Sequence, residues 1–162
     1  MQPADGVFQE LRRIPWFSEL DEEDVRKIAT ISHIREAKKG DVFFHEGDKQ
    51  DYIYVVTEGR VALDIQVPPH GRLRFYTAEV WDLFGWSSVT PVVHQRTAGA
   101  RAVIDSKVIA TDSEKLYQLC EDDHDLGYAV MRRMANVVAS RLMVTRLQLI
   151  DMFAAPPEKV DE

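Results

Sequence analysis

A single cysteine, Cys120, among 162 residues leaves no partner for an internal disulfide, and too few thiolates for a cysteine-ligated iron–sulfur cluster or a structural zinc finger. Long apolar runs are equally scarce. The longest, Tyr52 to Val56, has five residues, against about twenty for a membrane-spanning helix. The opening Met1-Gln2-Pro3-Ala4-Asp5 lacks the basic and apolar regions of a signal peptide. These absences predict a soluble, cytoplasmic protein with no membrane partner. Positive charge is also in deficit. With 20 Lys and Arg against 27 Asp and Glu the net charge is −7, which argues against a polyanion-binding surface spread over the whole molecule.

Hydrophobic residues make up 45% of the chain and charged ones 29%, the balance of one globular domain able to bury its own core. A helical segment is expected over 1–30. Val7, Leu11 and Ile14 share one helix face, and Pro15 stops that helix. Asp21 is placed to cap a second helix, Glu22, Glu23 and Asp24 suit the positive end of its dipole, and Leu20 with Val25 has the spacing of a hydrophobic staple.

From 31 to 111 the texture is that of short antiparallel strands, expected near 31–37, 41–45, 52–56, 60–66, 72–77, 82–84, 100–104 and 107–111. Glu58-Gly59 and Pro68-Pro69-His70-Gly71 read as hairpin turns. Eight strands at this spacing predict a mainly β domain with flanking helices, an eight-stranded jelly roll. Gly85 to Gly99 breaks the alternation and is too long for a hairpin turn. A long loop inside a compact β domain is usually functional. Helices return over 112–152, and a polar tail is expected over 153–162. The stripe Val130, Met134, Val137/Val138, Leu142, Thr145 and Leu149 is narrow and nearly heptad, which predicts lengthwise packing on another helix and, most simply, a homodimer. Arg132, Arg133, Arg141 and Arg146 lie along this helix with no acid between 126 and 150, as a positive strip or a solvated face.

Several stretches carry a family likeness. Leu11-Arg12-Arg13-Ile14-Pro15-Trp16-Phe17-Ser18-Glu19-Leu20, Lys39-Gly40-Asp41-Val42-Phe43-Phe44-His45-Glu46-Gly47-Asp48 and Thr57-Glu58-Gly59-Arg60-Val61 are three of them. Phe84-Gly85 followed by Gln95-Arg96-Thr97-Ala98-Gly99-Ala100-Arg101-Ala102 is the fourth. Together they resemble the cyclic-nucleotide-binding domain of the catabolite activator family, from about residue 10 to 152. The resemblance implies a phosphate-binding cassette over 85–101 and a small anionic ligand such as cyclic AMP or cyclic GMP. Its long helix is implied to serve as dimer seam and lid, and an unidentified partner protein to read the helix shift. No further cofactor is implied. The candidate ligand-binding residues are Gly85, Trp86, Ser87, Ser88, Arg96, Thr97, Ala98 and, on the lid, Thr145.

The chemistry is consistent with that implication. A phosphate diester leaving water needs backbone N–H groups and a fixed cation. Gly85 permits close backbone approach, a short helical turn at Trp86-Ser87-Ser88-Val89 would present N–H groups, and the planar fork of Arg96 suits two oxygens. Thr97 offers a hydroxyl. For Arg96 the alternative role is a structural ion pair. Two family features are absent: Trp86 stands where the family has a ribose-binding glutamate, and Trp81 where it has a glycine. Trp86 can stack on a ligand, pack in the core or plug the pocket. Plugging would leave a dimerising interaction module that binds no nucleotide.

Catalysis has little to build on. No His-x-His pair of the kind that metal-dependent cupins use occurs among His33, His45, His70, His94 and His124. Cys120 sits among acids that dull a thiol, and no serine lies in a nucleophile elbow. The expectation is neither an enzyme nor a metal site, with a cupin-like metalloenzyme as an alternative. Only about ten residues follow the long helix, so no DNA-binding helix-turn-helix is expected, and no direct DNA contact.

Overall fold

In the computed structural model, which describes residues 3–49, 51–90, 92–93 and 95–154, eight strands occupy the middle of the chain. They are β1 (Ser32–Ala37), β2 (Val42–Phe44), β3 (Tyr52–Glu58), β4 (Val61–Val67), β5 (Gly71–Ala78), β6 (Leu83–Phe84), β7 (Gly99–Ala102) and β8 (Ser106–Asp112). Their ends fall within two residues of the sequence expectation. Two four-stranded antiparallel sheets result, ordered β1-β8-β3-β6 and β2-β7-β4-β5, and they face each other as a jelly roll.

The apolar run Tyr52–Val56 exists because β3 is covered on both faces. Alternate side chains of a strand point to opposite sides. Ile53 and Val55 join a core beneath the helices, whereas Tyr54 and Val56 join a second core between the sheets. Its neighbour β8 divides the same way, Ile109 toward the helices and Val108 with Ala110 inward. The helix-side core is completed by α1 (Pro3–Arg13), a 3-10 turn at Pro15–Glu19, α2 (Glu22–Thr30), α3 (Ser113–Asp122) and α4 (His124–Ala154). Val7 and Leu11 are buried on the helix face that their spacing marks, and Ile14, buried with them, lies just past the end of α1 in extended conformation at the start of the 3-10 turn.

Four expectations are corrected. Glu58-Gly59 is no hairpin turn: β3 and β4 belong to different sheets, so the chain turns a corner there. Gly59 has φ +84, and a Cβ on it would lie 2.3 Å from Ser106 Oγ and 2.6 Å from the Asp105 carbonyl oxygen. Pro68–Gly71 does close a hairpin, with Val67 opposite Gly71. Asp21 occupies the N-cap position of α2, but its side chain makes no capping hydrogen bond, and only its carbonyl accepts from Val25 N–H at 3.0 Å. The cap expected of Asp21 is instead seen at Asp112, whose carboxylate accepts from Lys115 N–H at 3.0 Å.

The third correction concerns the stripe of α4. Val130 and Met134 are 4% and 6% exposed within the single chain, so the first half of the stripe packs on the domain's own core rather than on a partner helix. Farther along, Leu149 is 52% exposed. Burial takes up the first turns of the seam that periodicity alone assigned to another helix and leaves Leu142, Thr145 and Leu149 exposed. The polar tail is the fourth: Phe153 and Ala154 continue α4, and the rest of 153–162 lies outside the described residues, as does His94. No helix of the described residues is long and apolar enough to cross a membrane.

Candidate ligand-binding site

The site grows from the end of β6. Phe84 pairs with Tyr54 across the ladder and stacks on its ring, centroids 4.9 Å apart and planes at 11°. The next residue, Gly85, takes a left-handed conformation (φ 74, ψ 18) and starts the 3-10 turn Trp86–Val89. Its carbonyl accepts from Ser88 N–H at 3.2 Å, Ser88 Oγ at 2.8 Å and Arg96 Nη1 at 3.0 Å.

Arg96 reaches this point because its backbone is pinned to the turn after β2: its N–H donates to the Asp48 carbonyl at 2.9 Å, and its own carbonyl accepts from Gly47 at 2.8 Å. The side chain then runs inward and is 3% exposed. Nη2 donates to the Tyr52 carbonyl at 2.5 Å, the guanidinium lies 4.1 Å from the Phe44 ring centroid, and Nε finds no acceptor among the described residues. No carboxylate among the described residues is within ion-pair distance. Burial holds its pKa below the usual arginine value, opposed by the fields of Tyr54, Asp51 and Asp48. The ion-pair role for Arg96 therefore lacks a partner in contact among the described residues: the groups that touch its guanidinium are two carbonyls and an aromatic face, with the Asp48 and Asp51 carboxylates acting from beyond ion-pair distance.

Arg96 borders a cavity of about 310 Å³. Phe44, Leu63 and Phe75 from β2, β4 and β5 supply its apolar wall, Gly85, Trp86, Ser87, Thr97 and Ala98 its rim, and Val138, Arg141, Leu142 and Thr145 of α4 its roof. Seven of the eight candidate residues thus come together around one hollow. Ser88 does not line it: its hydroxyl is taken by the Gly85 carbonyl and by Ser113 Oγ, which donates to it at 2.6 Å, so it braces the turn against α3. Trp86 lines the cavity without filling it, and part of its indole rests on the helix-side core. Thr145, on the roof, is exposed, and its hydroxyl donates to the Arg141 carbonyl at 2.9 Å.

The sequence places Arg141 in the arginine strip and not among the ligand candidates, whereas the structure puts it on the roof of the cavity. Its guanidinium lies on the Tyr76 ring, Nη2 donates to the Leu83 carbonyl at 3.0 Å, and Nη1 is buried with no acceptor among the described residues. Burial alone pulls its pKa down to about 10. One turn before Thr145, it shares the lid face by helical periodicity, which is the signal that could have found it. The arginine strip is accordingly not a uniform solvated face. Arg132 pairs with Glu19 at 2.6 Å and Arg133 lies against Trp16, while Arg146 is exposed. Phe44, Leu63 and Phe75 come from strands far apart in sequence and leave no local signal.

Trp81, where the resemblance expects glycine, keeps the backbone that a glycine would take, at φ 74. Its N–H donates to the Val56 carbonyl at 2.8 Å and its indole packs on the helix-side core. Those contacts hold a conformation costing about 1–2 kcal/mol for a residue with a side chain.

The family model for the cyclic nucleotide-binding domain matches residues 34–123. An uncharacterized NTE family protein of Mycobacterium tuberculosis is 30% identical over 128 residues, which is 79% of this chain and 21% of that protein. The chain thus spans about a fifth of the length of the curated mycobacterial relatives it matches. A crystal structure of a cyclic nucleotide-binding domain from Methylobacillus flagellatus superposes with a TM-score of 0.80 at 20% identity, covering 100% of this chain and 89% of that one. The catabolite activator protein of Thermus thermophilus gives 0.67 at 25% identity, covering 85% and 62%.

Proposed function

This chain belongs to the cyclic nucleotide-binding domain family, and on that premise we propose that the hollow between Arg96 and α4 is a regulatory sensor site for a small anion, a cyclic nucleotide or a related one. The observation that carries this reading is Arg96 itself, a cation 3% exposed at the cavity with no carboxylate partner among the described residues. A buried charge without a counter-charge is costly, and an entering anion supplies what is missing. Trp86 lining the hollow rather than plugging it supports a receptor over an interaction module.

Signalling would run through α4. Its roof is tied down by Arg141 on the Leu83 carbonyl and by Gln148, whose Nε2 donates to the Phe75 carbonyl at 3.0 Å. A ligand that favours this closed arrangement over an open one shifts the helix by its differential affinity. The exposed apolar half of α4, with Leu142, Met143, Leu147 and Ile150, would pack on a second copy, and a partner protein would read the change. Binding, and not catalysis, is the role assigned.

The test is a thermal-shift titration with small anions, cyclic AMP and cyclic GMP included. A ligand at a hundred times its Kd adds about 2.7 kcal/mol of stability. Arg96→Ala is expected to abolish the shift, and a shift that survives it places the anion elsewhere.

A further inference from the structure

The cavity is lined by positive charge and, among the described residues, by no negative charge. Its charged lining groups are the guanidinium groups of Arg96 and Arg141, which only donate, and no acidic side chain among the described residues lines it. Its side-chain acceptors are the neutral hydroxyls of Ser87, Thr97 and Thr145, the last of which gives its proton to the Arg141 carbonyl. The remainder is largely aromatic and branched: Phe44, Phe75, Trp86, Leu63 and Leu142. Such a lining satisfies an acceptor-only anionic head and an apolar body. It leaves the hydroxyl donors of a sugar without a charged acceptor, and a missing hydrogen bond to a charged group weakens binding by roughly ten- to a hundredfold. The volume, about 310 Å³, is at the lower end for ligand cavities.

From this we infer that the ligand is a small aromatic monocarboxylate, an arylacetate-type anion with no sugar, and that Trp86 is the residue that selects it over a cyclic nucleotide. The inference rests on the reading of this cavity as the sensor site. The carboxylate lies toward the Arg96 charge, and the ring takes the place among Phe44, Phe75 and Trp86.

The experiment is equilibrium binding to the full chain of phenylacetate, its uncharged analogue phenylacetamide, and cyclic AMP. The Arg96→Ala, Trp86→Glu and Trp86→Gln variants are measured alongside, with circular dichroism confirming that each is folded. Phenylacetate is expected to bind at least tenfold tighter than either other probe, and Arg96→Ala to remove that preference. Trp86→Glu is expected to invert the order, gaining ten- to a hundredfold for cyclic AMP. Trp86→Gln, which adds a neutral acceptor, should move the same way by less and serves if the glutamate variant does not fold. Cyclic AMP binding tighter than phenylacetate to the wild type overturns the ligand class but leaves the sensor site standing. So does no phenylacetate binding together with cyclic AMP binding to a Trp86 variant. Equal affinity for phenylacetate and phenylacetamide shows that Arg96 does not read the charge and overturns the inference. If none of the three probes binds the wild type or a folded Trp86 variant, the site reading fails with it.

Discussion

The Gly85 carbonyl accepts a hydrogen bond from Arg96 Nη1 at 3.0 Å, and a Cβ at position 85 would lie 2.8 Å from that same nitrogen. The glycine is therefore needed twice, for its left-handed backbone and for the space that the guanidinium takes. Gly85→Ala is expected to cost about 1–2 kcal/mol through the backbone alone, and to displace Arg96 besides. Thermal unfolding should show the loss, and an anion-induced shift should vanish with it. An alanine variant that keeps the wild-type melting temperature and the shift would show that the close approach constrains nothing.

Glycines with the same sign of φ should not behave alike. Gly59 has φ +84 and no room, with Ser106 Oγ at 2.3 Å from its virtual Cβ; Gly71 has φ +84 and nothing within 4 Å. Gly71→Ala is expected to cost only the backbone strain, about 1–2 kcal/mol. Gly59→Ala adds overpacking of about 1–3 kcal/mol. Urea denaturation of the two variants compares them directly, and equal midpoints would contradict the corner geometry.

The roof of the cavity makes a separate prediction. Arg141→Ala removes the hydrogen bond to Leu83 and the contact with Tyr76, leaving Gln148–Phe75 as the side-chain hydrogen bond described between the second half of α4 and the strands around the cavity. Amide hydrogen exchange should speed up across 138–150 while β3 and β8, buried on both faces, stay protected. Unchanged exchange in that half of α4 would mean that Arg141 does not hold the lid.

Cys120 gives a pH dependence with a definite sign. Burial, helped by the fields of Glu121 and Asp123, pushes its thiol up from 9.0 to about 11. A folded-state pKa raised above the unfolded one favours the protonated form. Its contribution to stability is full below pH 9 and is lost as pH rises toward 11. Alkylation by iodoacetamide needs the thiolate, so at pH 8 the folded protein should react about a hundredfold more slowly than the chain in urea. Since the chain has one cysteine, the rate is read without ambiguity. Equal rates in the two states would contradict the burial.

Much of the fold was legible because it rests on local pattern. The period-two strands, the face Val7, Leu11 and Ile14 and the breaker Pro15 need only neighbours in sequence, and the structure places them within two residues of expectation. Glu58-Gly59 was misread because a hairpin and an inter-sheet corner share the same short signal, and only strand pairing tells them apart. The first half of the α4 stripe was assigned to a partner because periodicity marks an apolar face without saying what covers it. Arg141 was not among the ligand candidates because its partners, Leu83 and Tyr76, are more than fifty residues away in the chain.

Residue order by itself determined the secondary elements and brought Gly85, Trp86 and Arg96 into one irregular loop, since turn chemistry and side-chain alternation act over a few bonds. Only the tertiary structure decided that Arg96 is buried with no carboxylate in contact among the described residues, that Ser88 braces the turn against α3 rather than lining the hollow, and that Phe44, Leu63 and Phe75 wall it. Charge balance and cavity shape are sums over groups distant in sequence, and no window along the chain contains them.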